Sequence, residues 1–156
     1  MILICLSQLG CYSFQGISIP VDVNTFFVEN IEDRTGEMPP GFNEDFSESL
    51  ADKVRNNTRL KIDNNNPDVS FSVFVTQFTV RAEDPNSETG TALNRLYLTM
   101  EVTYYNSKTD EEIKKRYDEN EDFGAEDDFT NVQDQLLENI SERIIERIFN
   151  DSFTNW

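Results

Sequence analysis

The residues whose order implies a reaction are Gln8-Leu9-Gly10-Cys11, which close a charge-free run from Met1 and precede Tyr12-Ser13-Phe14. A small residue immediately before a cysteine lets a signal peptidase cut between the two. The thiol then carries a diacylglycerol, the freed amine is acylated, and Cys11 becomes the first residue of the mature chain. Each buried methylene contributes roughly 0.8 kcal/mol and a single chain anchors only marginally, so two or three chains on Cys11 would hold the protein at a membrane essentially permanently. The run is short, no Lys or Arg precedes it, and Gln8 stands where an aliphatic residue is usual. The competing reading is a short buried strand in which Cys11 is an ordinary small hydrophobe. Cys5 would leave with residues 1–10, so the chain from Cys11 to Trp156 would contain no internal disulfide.

Two charged stretches offer other chemistry. Lys114-Lys115-Arg116 is the one basic run in an acidic chain, and with Arg95 and Arg81 on neighbouring strands it could face anionic groups. The alternative is edge-strand protection and local pairing with the abundant carboxylates. Asp118, Asn120, Asp122, Gly124 and Glu126 alternate as in a calcium loop, but the sixth position is Phe123 where such a loop needs Gly, and the twelfth is Phe129 where it needs a bidentate Glu. An unspecific acidic loop from Asp118 to Asp128 is the expectation, and no metal or other cofactor is implied.

Composition excludes several classes. With 30 acidic and 13 basic residues the formal charge is -17, which makes nucleic acid and anionic headgroup surfaces poor partners and favours neutral or basic ones. The chain has no His, so the residue best suited to proton transfer near neutrality and the commonest transition-metal ligand are both missing. Thiol and serine triads of the usual kinds cannot be built, and the protein is expected not to be an enzyme; a carboxylate-pair hydrolase is the remaining catalytic alternative. No stretch is long and apolar enough to span a bilayer as a helix.

The elements that must position these groups follow from periodicity. Ile17 to Asn30, rich in β-branched and aromatic residues, should hold a first strand beginning near Val23 or lying at an edge around Pro20. Phe42, Phe46, Leu50 and Val54 recur every fourth residue and predict a helix, capped by Asn43 or a neighbour and fading near Asn56-Asn57. Val69, Phe71, Val73 and Val75 alternate before the apolar parity switches at Phe78 and Val80, which predicts a bulge or strong twist. A long polar connection from Arg81 to Ala92 leads to the cleanest period of two, Leu96 to Tyr104, and Asn106 to Asp110 turns into a strand through Ile113 and Tyr117. A second helix carries Phe129, Val132, Leu136, Ile140, Ile144 and Ile148, with charged residues mainly on its other side and the aromatics Phe149, Phe153 and Trp156 docked at its end. This order predicts an α+β two-layer sandwich, with two helices packed on one face of a four-stranded mixed sheet in a single domain spanning 11–156.

With these elements in place, Gly10-Cys11-Tyr12-Ser13-Phe14-Gln15-Gly16-Ile17-Ser18-Ile19 resembles the start of the lipopolysaccharide-assembly lipoproteins, the LptE family. Ala51-Asp52-Lys53 through Thr58-Arg59-Leu60, Ala92 to Leu96, Arg116-Tyr117 and the closing Ile148 to Trp156 are similar to that family in the same order. The resemblance implies an outer-membrane lipoprotein on the periplasmic side that sits inside the large β-barrel (LptD type) inserting lipopolysaccharide, acting as plug and assembly factor and handling lipopolysaccharide itself. It strengthens the assignment of Cys11 as lipid attachment site. For contact with lipopolysaccharide or the partner, the candidates are Arg95, Lys114, Lys115 and Arg116. An acidic lipoprotein that binds another envelope protein or a glycan is the competing reading.

Overall fold

A computed structural model describes residues 19–83 and 92–154, in the order β1 (Thr25–Val28), β2 (Glu32–Asp33), α1 (Phe42–Asn57), β3 (Lys61–Ile62), β4 (Val69–Glu83), β5 (Leu93–Asn106), β6 (Glu111–Gly124) and α2 (Phe129–Phe153). Cys11 and Trp156 lie outside the described residues, so their expected roles are not placed by the fold. Strands run in the order β3-β1-β4-β5-β6, with β2 also pairing β4. β1 is parallel to both β3 and β4, whereas β4, β5 and β6 form a long antiparallel meander. Parallel neighbours need a crossover, and α1 supplies it between β1 and the strands that follow.

The α+β class and the two-helix layer agree with the sequence reading, but the sheet has six strands among the described residues rather than four. The additional strands are two residues long and polar or exposed, so they carry no periodicity of their own. Their pairing is created by the tertiary position of β1 and β4. The first strand is internal, not an edge, and Pro20 lies before it in a turn closed by Val23 N–H donating to the Pro20 carbonyl at 3.0 Å. The parity switch in β4 is a bulge: Val75 faces Met100 and Gln77 faces Thr99, leaving Thr76 without a partner in the register. That one extra residue returns Phe78 to the core face opposite Leu98.

One face of the sheet is the core. Phe26, Phe71, Val73, Val75, Leu98 and Met100 are buried there beneath Phe46, Leu50 and Val54 of α1 and Ile140, Ile144 and Ile148 of α2. Phe71 sits at the middle, its ring 5.5 Å from Tyr104 and 6.1 Å from Phe153 in edge-to-face contacts. The aromatics Phe149 and Phe153 are therefore docked, within the helix itself. At the start of α1 the cap is Gly41, in the left-handed region at φ 90°, and Asn43 lies inside the helix. A Cβ at position 41 would meet no atom nearer than 3.9 Å, so a substitution there costs backbone strain alone, of order 1–2 kcal/mol.

The parallel and antiparallel parts are clasped by Asp68, 8% exposed. Its carboxylate accepts the Asn24 and Thr25 backbone N–H groups at 2.8 and 3.1 Å and pairs with Lys108 Nζ at 2.8 Å, joining the start of β1 to the β5–β6 turn. The hydrogen bond from Lys108, followed by that from Asn24, outweighs the opposing effect of burial and holds the carboxyl down to about 2. Because the folded value lies below the unfolded one, the clasp stabilises fully above pH ~4–5 and is lost as pH falls through ~2, with a contribution of about 2 kcal/mol. Asp68→Asn is therefore expected to lower stability by about 1–3 kcal/mol near neutrality in urea titration and to flatten the acid limb of the stability profile between these values.

Candidate functional site

The basic candidates divide between two surfaces according to strand pleat. In the β5–β6 register Arg95 faces Asp122, Lys114 faces Thr103 and Arg116 faces Glu101, all on the sheet face away from the helices. Lys115 faces Val102, which places it on the helix side. The fold brings Lys114 and Arg116 together but sets Arg95 about 20 Å away along β6, from six residues at about 3.4 Å each between Arg116 and Asp122.

Each of the four meets a carboxylate. Arg95 Nη2 donates to Asp122 Oδ2 at 2.9 Å and Arg95 also lies 3.9 Å from Glu83. Arg116 pairs with Asp118 at 2.8 Å, Lys114 with Glu112 at 2.8 Å and Lys115 with Asp151 of α2 at 3.3 Å. The Asp122 hydrogen bond raises the Arg95 pKa, and the Arg116 hydrogen bond lowers that of Asp118 despite burial acting the other way. These exposed pairs add little to stability, but they compensate the charge locally, so the open face is not a cationic patch. Arg81, directly opposite Arg95, stacks over the Tyr97 ring at 5.3 Å, and Tyr97 donates to Glu83 at 2.6 Å. The rest of the open face mixes Phe74, capped by the Arg34 guanidinium at 3.7 Å, with Glu101, Gln77 and a buried Thr99 whose hydroxyl bonds Asp118 at 2.8 Å.

The expected acidic loop from Asp118 to Asp128 is mostly strand. β6 continues through Gly124, paired with β5 to Leu93, and only the four residues up to Asp128, the N-cap of α2, turn. β4 runs on to Glu83, so the connection expected from Arg81 is shorter at its start, while its expected end at Ala92 agrees with β5 beginning at Leu93. What keeps an acid-rich segment extended is α2. Arg143 reaches Glu119 at 3.2 Å and Glu121 at 2.7 Å, while Arg147 reaches Glu119 at 2.6 Å. The Tyr117 hydroxyl donates to Asp151 at 3.1 Å. Burial raises the Tyr117 pKa, as does the neighbouring Asp151 charge, so it stays a donor.

Helix residues four apart, 6 Å in rise, thus meet strand residues two apart, about 6.8 Å. Arg143 and Arg147 also donate to the Asn120 and Asp118 carbonyls at 2.8 and 3.2 Å, occupying acceptors of the edge strand that another chain would otherwise use. Sequence reading placed these arginines on the outer side of α2; the signal for the seam was the period of two in Tyr117, Glu119 and Glu121 against the period of four in Arg143, Arg147 and Asp151. In the strand Asp118, Asn120 and Asp122 lie about 7 Å apart in sequence with partners of their own, not folded around one point. Among the described residues no group of three or more acidic or Cys side chains is placed to hold a metal, and no helix is long and apolar enough to cross a membrane.

Solved structures show that this architecture recurs. A protein of Xanthomonas campestris shares 10% identity over 83% of each chain with a TM-score of 0.57, and a hypothetical protein of Chlamydia trachomatis shares 7% over 82% of this chain and 96% of its own at 0.52. The uncharacterized lipoprotein B of Nitrosomonas europaea shares 11% over 86% and 88% at 0.51. At such identities the likeness is one of fold. No curated protein matches the sequence. The family model described as LptE, lipopolysaccharide-assembly, matches residues 23–152, which takes in every strand and helix from β1 to the last turn of α2. The chain belongs to the LptE family of lipopolysaccharide-assembly proteins.

Proposed function

We propose that this protein is a non-catalytic subunit of the translocon that inserts lipopolysaccharide into the outer membrane, lodged in an LptD-type β-barrel as plug and assembly factor. The observation that carries the reading is the family match across the whole sandwich. In this reading residues 1–10 are a lipoprotein signal, Cys11 bears the acyl chains, and the domain from 11 to 156 stands on the periplasmic side of the outer membrane. A sandwich whose long edge strand is closed by its own helix suits a plug, because it presents side chains rather than free backbone to the barrel wall. Depleting the protein is expected to stop newly made lipopolysaccharide from reaching the outer leaflet and to lower the amount of assembled barrel. Normal surface lipopolysaccharide after complete depletion would contradict the proposal.

Direct contact with lipopolysaccharide through Arg95, Lys114, Lys115 and Arg116 is the finer part of the proposal. An anionic group binds there only by displacing Asp122, Glu112, Asp151 or Asp118, or by sharing divalent cations with them, and the -17 domain repels it beyond a Debye length of about 8 Å. Replacing the four by Gln should therefore weaken lipopolysaccharide binding by about tenfold at most, roughly a quarter of a decade per residue, because each cation must first give up the carboxylate it already holds. Unchanged binding would remove these residues from the contact surface.

A further inference from the structure

Between α1 and α2, on the side away from the sheet, lies an open groove of about 450 Å³. Phe42, Phe46, Leu137 and Ile145 form its floor, and Pro39 and Pro40 close one end. Asp45 stands on the α1 rim, with Asp134, Glu138 and Glu142 on the α2 rim. All 13 Lys and Arg of the chain fall in described segments, yet none lines this groove, and none makes a described ion pair with these four carboxylates. Along β6 carboxylates are paired with Arg95, Arg116, Arg143 and Arg147, whereas here four carboxylates border an apolar trough with no cation among its lining residues.

Asp134, Glu138 and Glu142 are four residues apart, so they rise about 6 Å per step on one helical line. Like charges at that spacing destabilise the free helix, and a cationic occupant relieves the repulsion. A span of about 12 Å is longer than a small organic cation and matches a peptide segment presenting successive basic side chains. The apolar floor adds a place for one or two bulky aliphatic side chains between them.

We propose that the α1–α2 groove docks a basic segment of a partner protein, its Lys or Arg side chains on the α2 carboxylates and an aliphatic side chain over Phe46 and Ile145. This interaction is separate from the barrel proposal, because its test requires no barrel and fails on its own terms. The probe is a fluorescein-labelled, amide-capped amphipathic peptide of Leu and Lys, titrated against the full chain in a nonionic detergent and followed by anisotropy.

Asp134→Asn/Glu138→Gln/Glu142→Gln is expected to weaken binding by about tenfold or more, as three pairs of up to about half a decade each give. Glu32→Gln/Glu101→Gln/Glu112→Gln, which removes the same charge from other surfaces, should change it by less than about twofold. Replacing Leu by Ser in the peptide should also weaken binding to the wild-type chain. Equal losses in the two triple variants would mean diffuse attraction to an acidic protein and overturn the proposal. So would full affinity for the Ser peptide, absence of binding, or a dimer in sedimentation that only the groove variant dissociates, which would seat a second copy there.

Discussion

Cys11→Ala is expected to abolish acylation and, when the chain is expressed without its barrel partner, to move the protein from the membrane fraction to the soluble fraction. The argument is quantitative in the anchor and local in the chemistry. Only the thiol accepts the diacylglycerol, and two or three acyl chains at roughly 0.8 kcal/mol per buried methylene bind far more tightly than one, whose hold is marginal. Nothing else in the described chain offers a substitute, since no described helix can span a bilayer and the net charge of -17 opposes adsorption to anionic lipid. Intact-mass spectrometry of both proteins checks it. Wild type should begin at Cys11 with the added mass of the acyl chains, and the variant should lack them; an unmodified wild-type chain would remove the anchor from the account.

The second large effect is on the fold. Phe71→Ala is expected to lower stability by about 3–5 kcal/mol, because the ring is fully buried and its loss leaves a cavity that the surrounding strands and α2 cannot close. Tyr104 and Phe153 lose their edge-to-face partner as well. Against a typical total of about 5–15 kcal/mol this approaches unfolding. For a chain of this size the thermal midpoint should fall by about 10 °C or more, readable by circular dichroism. A shift of only a degree or two would mean that the core is not centred on Phe71. Exposed Tyr105, on the open face, makes a useful control: Tyr105→Ala should cost well under half as much.

Phe71 also marks what sequence conveys well. Apolar periods that exceed three repeats, such as Phe42 to Val54, Leu96 to Tyr104 and Leu136 to Ile148, define α1, β5 and α2 because burial of a face is the main source of their stability. The single parity break at Val75–Phe78 located the β4 bulge for the same reason: only an extra residue returns the apolar side chains to one face. Elements whose existence depends on distant partners were not legible. β2 and β3 are ladder fragments without an apolar face, and the acid-rich half of β6 reads as a loop until Arg143 and Arg147 are placed across it from α2. Gly41 gave no cap signal because its role is a backbone angle rather than a side-chain bond.

The site was less legible than the fold. Lys114, Lys115 and Arg116 are adjacent in sequence, but the pleat sends Lys115 to Asp151 on the helix side and the others to the open face. A run of like charge in a strand is therefore not a patch. The α1–α2 groove was invisible to motif reading for the complementary reason: its rim combines Asp45 with residues 89 and more positions later, and only the packing of the two helices brings them together.

The most direct measurement is to purify the native lipoprotein from outer membranes in a mild nonionic detergent and weigh what accompanies it. A one-to-one complex with a single large β-barrel protein, stable through gel filtration, is the predicted result. Recovery of the lipoprotein alone, or with soluble or glycan partners only, would contradict the translocon role.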